Sequence, residues 1–257
     1  MFDNFDNDDQ PIGRILNRRE VMALFGAAGA ALVLSACQLP SGATGAASGP
    51  SAGAVATTNA SLPPTCVVRP GLTEGPVFVD EKLNRSDIRS DAANGVVKAG
   101  AQLDLTFRVS KVANGACTPL AGVQVDVWHC DAEGIYSDTT QLGMHTVGQK
   151  FLRGYQVTDA NGVAQFTTIF PGWYTGRAVH IHFKMRTTQG NDFTSQLFFD
   201  EAFTNEVYKQ APYASRGEPK VKQADDGIFG QSGGQTTLTV KQEGGIYKAA
   251  FDVGLQL

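Results

Sequence analysis

Nine consecutive residues, Tyr174-Thr175-Gly176-Arg177-Ala178-Val179-His180-Ile181-His182, carry a phenol, a guanidinium and two imidazoles. On a β-strand, residues two apart point to the same face, so His180 and His182 can bind one ion together. A second phenol, Tyr136, follows a strand-like run and a glycine. Two imidazoles and two phenolates form an N/O donor set suited to a hard, high-valent ion such as Fe(III), unlike the thiolate sets of structural zinc. The two remaining histidines read differently. In the alternation His129 points opposite to Trp128 and is expected to be packed or hydrogen-bonded, whereas His145 lies in a polar loop near the same site, expected in solvent with a substrate contact as the alternative.

The elements that must position these groups are strands. From Ala101 the apolar residues recur with period two, the mark of half-buried strands. Leu103, Leu105 and Phe107 alternate with Asp104, Thr106 and Arg108, and Val123, Val125 and Val127 with Gln124, Asp126 and Trp128. Further runs are Val163 with Gln165 to Phe170, Val179 to Met185, Ser195 to Phe199, Thr236 to Val240 and Tyr247 to Val253. Turn signals separate them at Asn114-Gly115, Asn161-Gly162, Pro171-Gly172 and Gly233-Gly234. Phe203 and Val207, four apart, predict one short helix over Glu201 to Gln210. The fold class is therefore all-β, an antiparallel β-sandwich with long loops and one short helix. Trp128, Phe183, Phe198 and Phe199 are expected in its core, while Thr73 to Pro76 and Asp225-Asp226-Gly227 read as a tight turn and a solvated turn.

The 257 residues are 42% hydrophobic and 18% charged, enough for one sizeable domain with appendages. A net charge of −4 gives no electrostatic case for nucleic acid, and no stretch of the body is apolar for long enough to span a bilayer. Arg18-Arg19 precede a short apolar run from Val21 to Leu34 that resembles a twin-arginine export signal. Leu34-Ser35-Ala36-Cys37 resembles a lipobox, so residues 1–37 read as a signal with Cys37 as the site of a lipid; an ordinary cleaved signal with an incidental cysteine is the alternative. Residues 38–65 are Ser, Gly, Ala, Thr and Pro with almost no large apolar side chain, the composition of a flexible tether. The expected location is the periplasm or cell envelope, with membrane contact only through a lipid on Cys37. In an exported chain the remaining cysteines favour a disulfide. Cys117 and Cys130 close successive strand segments and are the expected pair, leaving Cys66 as a buried thiol.

Strand grammar alone serves a passive, transthyretin-like binding module as well as an enzyme. The ordered set of motifs tips the balance. Thr73-Glu74-Gly75-Pro76, Val125 to Ser137, Phe151 to Asp159, Pro171-Gly172-Trp173-Tyr174 and Arg177 with His180-Ile181-His182-Phe183 stand in the order of the intradiol ring-cleavage dioxygenases. The chain resembles that family of catechol, protocatechuate and hydroxyquinol dioxygenases from about Cys66 to about Phe229, within a domain spanning 66–257. The resemblance implies a β-sandwich around one mononuclear non-haem Fe(III), with Tyr136, Tyr174, His180 and His182 as ligands. It implies that Tyr174 leaves the metal and acts as a base, that Arg177 stabilises negative charge on the substrate, and that Gln196 lines the site. The implied partners are a small aromatic diol and O2, and the implied reaction opens the ring between the two hydroxylated carbons to a muconate-type diacid. No oligomeric state follows from the sequence.

Two departures from the family concern the pocket. Val77-Phe78 stand where many relatives carry tyrosines, and the connection from Tyr174 to His180 is shorter than in the best-known members. Without the phenols, a His-x-His pair reads as a solvent-facing stripe on an edge strand.

Overall fold

The computed structural model describes residues 67–257. The signal, the linker, the lipid on Cys37 and the thiol of Cys66 lie outside those residues.

Among the described residues ten strands form two sheets that pack face to face. They are β1 (Gln102–Ala113), β2 (Ala116–Pro119), β3 (Gln124–Trp128), β4 (Arg153–Val157), β5 (Val163–Ile169), β6 (His180–Arg186), β7 (Asp192–Phe199), β8 (Thr237–Leu238), β9 (Val240–Glu243) and β10 (Ile246–Gln256). One sheet has the order β2-β1-β10-β9, with β5 beside the first half of β1; the other runs β4-β3-β6-β7-β8. Between them lies a core of Leu103, Leu105 and Phe107 from β1, Val125 and Val127 from β3, Ile181, Phe183 and Met185 from β6, and Phe251 from β10. Phe107 sits 5.2 Å from Phe183 across the sheets, and Phe183 5.7 Å from Phe251. Each such side chain contributes about 1.5–3 kcal/mol by leaving water.

The period-two runs produce this core, and the all-β sandwich follows from them. Three details differ from the sequence reading. The sandwich is not wholly antiparallel: β10 runs parallel to β1 and β8 parallel to β7. The run Thr236 to Val240 is two strands, because the chain crosses from one sheet to the other at Thr239. β4 escapes the pattern because Arg153-Gly154-Tyr155-Gln156-Val157 is only partly buried and has no clean alternation.

Helix α1 (Glu201–Tyr208) forms where the spacing of Phe203 and Val207 predicts it, capped by the Asp200 carboxylate on the Phe203 amide. A second helix, α2 (Gly227–Ser232), begins at Asp226, which corrects the reading of that segment as a solvated turn. Among the described residues no helix is long and apolar enough to cross a membrane.

The cysteine pairing is also corrected. Cys117 is disulfide-bonded, but Cys130 is a free, buried thiol. Cys117 lies on β2 of one sheet, whereas Cys130 follows β3 of the other and packs with Trp128 and Tyr136. Adjacent hairpin segments in sequence thus end on opposite layers.

Candidate metal centre

The odd residues of β6 face the sandwich core, so its even residues, His180, His182 and Lys184, face outward. That outward face is not open to water. His180 is 2% exposed and His182 1%, because loops fold over it. Directly opposite residues of an antiparallel pair share a face, and the register puts Arg153, Trp128, His182 and Gln196 in one cross-strand row. Residues 72–75 cover the row: the Leu72 amide donates to Thr194 O, Gln196 Nε2 to Thr73 O, and Gly75 lies against His182 Cε1. Lys184 Nζ reaches Glu74 Oε2 at 2.8 Å.

The two tyrosines arrive on loops. Between β3 and Tyr136 the chain winds about Asp131, whose Oδ1 accepts from the Glu133 and Ile135 amides. Beyond Tyr136, the buried Arg153 donates to Ser137 O and Oγ and anchors the exit. Tyr174 follows Pro171-Gly172, and Gly172 is required there because a Cβ would strike the carbonyls of Asp131 and Ala132. Close backbone contact at Gly172 therefore locks the Tyr174 loop to the Tyr136 loop.

The four expected donors converge. His180 Nε2 lies 3.0 Å from His182 Nε2, 3.2 Å from Tyr174 Oη and 3.4 Å from Tyr136 Oη. Donors about 2.0–2.2 Å from a shared ion and separated by roughly right to tetrahedral angles stand about 3.0–3.4 Å apart, so the spacing fits a single ion. His180 Nδ1 donates to Ala178 O at 2.6 Å, which turns the Nε2 lone pair toward the phenols. Among the described residues His182 Nδ1 has no hydrogen-bond partner; its ring is held by stacking on Trp128, 5.0 Å away and within 10° of parallel. Among the described residues no three His, Cys, Asp or Glu side chains group together, so the phenols are needed to complete a metal-binding set.

The electrostatics suit a cation. Burial holds the imidazoles neutral, lowering His180 to about 3 and His182 well below its ordinary value. Neutral imidazoles keep the lone pair a metal needs. Burial also pushes the Tyr174 phenol up to about 12 and Tyr136 well above the usual phenol range, while Arg177 pulls both down. Burial thus favours the protonated phenols; a multivalent cation among them would displace those protons.

Arg177 is itself gripped. Its Nε donates to Asp226 Oδ2 at 3.0 Å and its Nη2 to Gln196 Oε1 at 2.6 Å. Asp226 accepts four hydrogen bonds, from Arg177 and the Ala178 amide on one oxygen and from the Ile228 and Phe229 amides on the other. Both ends of the Gln196 amide are occupied by protein, so it acts on the site by holding Arg177. Asp226, Trp128 and Arg153 are positioning residues that the sequence reading did not identify. Only Asp226 left a local trace, an aspartate at a helix N-cap followed by glycine and apolar residues. His129, fully buried between Cys130 O and Thr168 Oγ1, is hydrogen-bonded as expected.

Tyr174 is the one donor that reaches open space. It borders a cleft of about 520 Å³ whose walls include Ile135, Leu142, Met144, the exposed His145 and Arg216.

Comparison with known proteins identifies a family. A family model described as Dioxygenase matches residues 73–223, more than half of the chain. A chlorocatechol 1,2-dioxygenase of Pseudomonas putida is 31% identical over 100 residues, which are 32% of this chain and 36% of that protein. The chain thus spans about a third of the length of the curated relatives it matches. Among solved structures, an intradiol ring-cleavage dioxygenase from Tetranychus urticae superposes with a TM-score of 0.67 at 28% identity, covering 74% of this chain and 95% of that one. The dioxygenase domain of a dioxygenase carbohydrate-binding protein fusion from Streptomyces sp. SirexAA-E gives 0.55 at 27% identity, covering 74% and 99%.

Proposed function

The chain belongs to the intradiol ring-cleavage dioxygenase family, and we propose that it is a non-haem Fe(III) enzyme that opens a catechol between its two hydroxylated carbons with O2, giving a muconate-type diacid. One observation carries the reading: the donor atoms of Tyr136, Tyr174 and His182 all lie 3.0–3.4 Å from His180 Nε2. These four residues would hold a ferric ion, which when bound would supply the Lewis-acid and redox activation that makes a diol ring reactive toward O2.

The chain's own groups divide the remaining work. Tyr136, fully buried, and the two histidines form the fixed part of the donor set. Tyr174 is half-buried on the cleft wall and can move toward solvent, so its oxygen is placed to take a proton from the incoming diol. Arg177, clamped by Asp226 and Gln196, holds a fixed positive charge beside the phenols, where the substrate's oxygens gain negative charge. The loop at 72–75 excludes water from the histidine side of the site. We further propose, from Arg18-Arg19 and the lipobox-like Leu34 to Cys37, that the enzyme works outside the cytoplasm. The passive-module alternative is not favoured, because the family match includes Tyr136, Tyr174, Arg177, His180 and His182.

The test is oxygen uptake with catechol by iron-loaded protein. Stoichiometric uptake with a muconate-type product supports the reading. Iron-loaded protein that consumes no oxygen with any ortho-diphenol overturns it.

A further inference from the structure

The cleft beside Tyr174 is larger than a catechol requires. A cavity of roughly 150 Å³ takes up benzene, so about 520 Å³ has room for a ring and a substantial substituent. Its chemistry is divided. Ile135, Leu142 and Met144 supply apolar wall, and Arg216 supplies a fixed cation. Arg216 Nη1 donates to Trp173 O at 2.7 Å, and its guanidinium lies 4.3 Å above the Trp173 ring. Gly134, at φ +79°, makes room for this arrangement: a Cβ there would strike Trp173 O and lie 2.8 Å from Arg216 Nη1. Among the described residues no carboxylate pairs with Arg216, and its Nε and Nη2 make no hydrogen bond to protein. A half-buried guanidinium held in place on one side and unsatisfied on the other is a ready partner for a planar oxyanion.

We propose that Arg216 is a specificity-determining residue, binding a carboxylate carried on the side chain of an ortho-diphenol substrate. The inference rests on the catechol-cleaving reading above and names the substrate class within it. Tyr174 is the only one of the four donors on the cleft wall, so the diol end is received there and the substituent extends along Leu142 and Met144 toward Arg216. Glu133, exposed on the rim, would repel such an anion and favour an ammonium instead; the test separates the two.

The experiment compares kcat/KM for 3-(3,4-dihydroxyphenyl)propanoate, its neutral amide and 2-(3,4-dihydroxyphenyl)ethylamine, with wild type and Arg216→Gln, each checked for iron content and Tm. The expected result is a wild-type preference for the acid over the amide of about tenfold or more, the scale of a hydrogen-bonded charge pair, that collapses toward one in Arg216→Gln. A wild-type ratio near one overturns the inference without need of a variant. So does a ratio that survives Arg216→Gln, or a preference for the amine, which would make Glu133 the reader. If no ortho-diphenol is turned over, the catechol reading fails separately. The role of Arg216 is then read from metal-free protein: 3-phenylpropanoate should quench Trp173 fluorescence in wild type and not in Arg216→Gln, and no quenching overturns it.

Discussion

The two faces of β6 are one residue apart in sequence and opposite in character. Inward, Ile181, Phe183 and Met185 lie among apolar side chains of both sheets. Outward, His180 and His182 are equally buried, yet almost every contact they make is polar or aromatic and comes from a loop or a neighbouring strand. Burial alone therefore does not define the core. The inner face is held by area removed from water, which tolerates any well-fitting hydrocarbon. The outer face is held by directed bonds, in which each group is useful only in one orientation.

That contrast can be broken first at the donors. Tyr136→Phe or His182→Ala should abolish bound iron and dioxygenase activity together while leaving a cooperatively folding sandwich; iron analysis and thermal unfolding read both. Activity retained in either variant would contradict the donor assignment. The inner face should respond in the opposite way. Phe183→Ala removes a fully buried ring between Phe107 and Phe251 and should cost about 3–5 kcal/mol of stability in denaturant titration, with the turnover of whatever remains folded little changed.

A finer distinction lies within the outer face. Arg177→Ala should retain iron but lose turnover by roughly 10²–10³, the scale of removing one preorganised electrostatic donor. Asp226→Asn keeps an oxygen for the helix cap but turns an N–H toward Arg177 or Ala178, so it should lower kcat by about tenfold to a hundredfold. If Asp226 acts through Arg177, the double variant should be little worse than Arg177→Ala alone; fully additive losses would mean a merely structural role. Loss of iron in Arg177→Ala would mean that Arg177 is needed to hold the metal-binding side chains in place, contradicting a role confined to the substrate.

A further effect is expected on acid stability. Burial lowers His129 from 6.5 to about 4, with both ring nitrogens engaged. The unfolded chain therefore binds this proton more readily, and the stability present above pH 6.5 is lost as pH falls toward 4, by about 3 kcal/mol at most. His129→Gln should flatten that part of the pH–stability curve, measured by urea unfolding at successive pH values.

Sequence reading reached the two faces unequally. The period-two runs gave β1, β3, β5, β6, β7 and β10, because apolar burial writes itself locally at every second residue. That Tyr136, Tyr174, His180 and His182 converge was legible because their types are rare together and stand in family order. What could not be read was whatever depends on partners far along the chain. Asp226 meets Arg177 across 49 residues, Trp128 meets His182 only through strand register, and Arg153 holds Ser137 from another strand. The Cys117–Cys130 pairing failed for the same reason, since proximity in sequence placed the two on different sheets.

The central claim, that four side chains of the outer face close around one ferric ion, is tested most directly by the visible absorption spectrum of the purified protein with its iron content. One iron per chain and a burgundy to red phenolate-to-Fe(III) charge-transfer band, lost in Tyr136→Phe, is the predicted result. Iron-replete protein without that band, or a band unaltered by Tyr136→Phe, would contradict it.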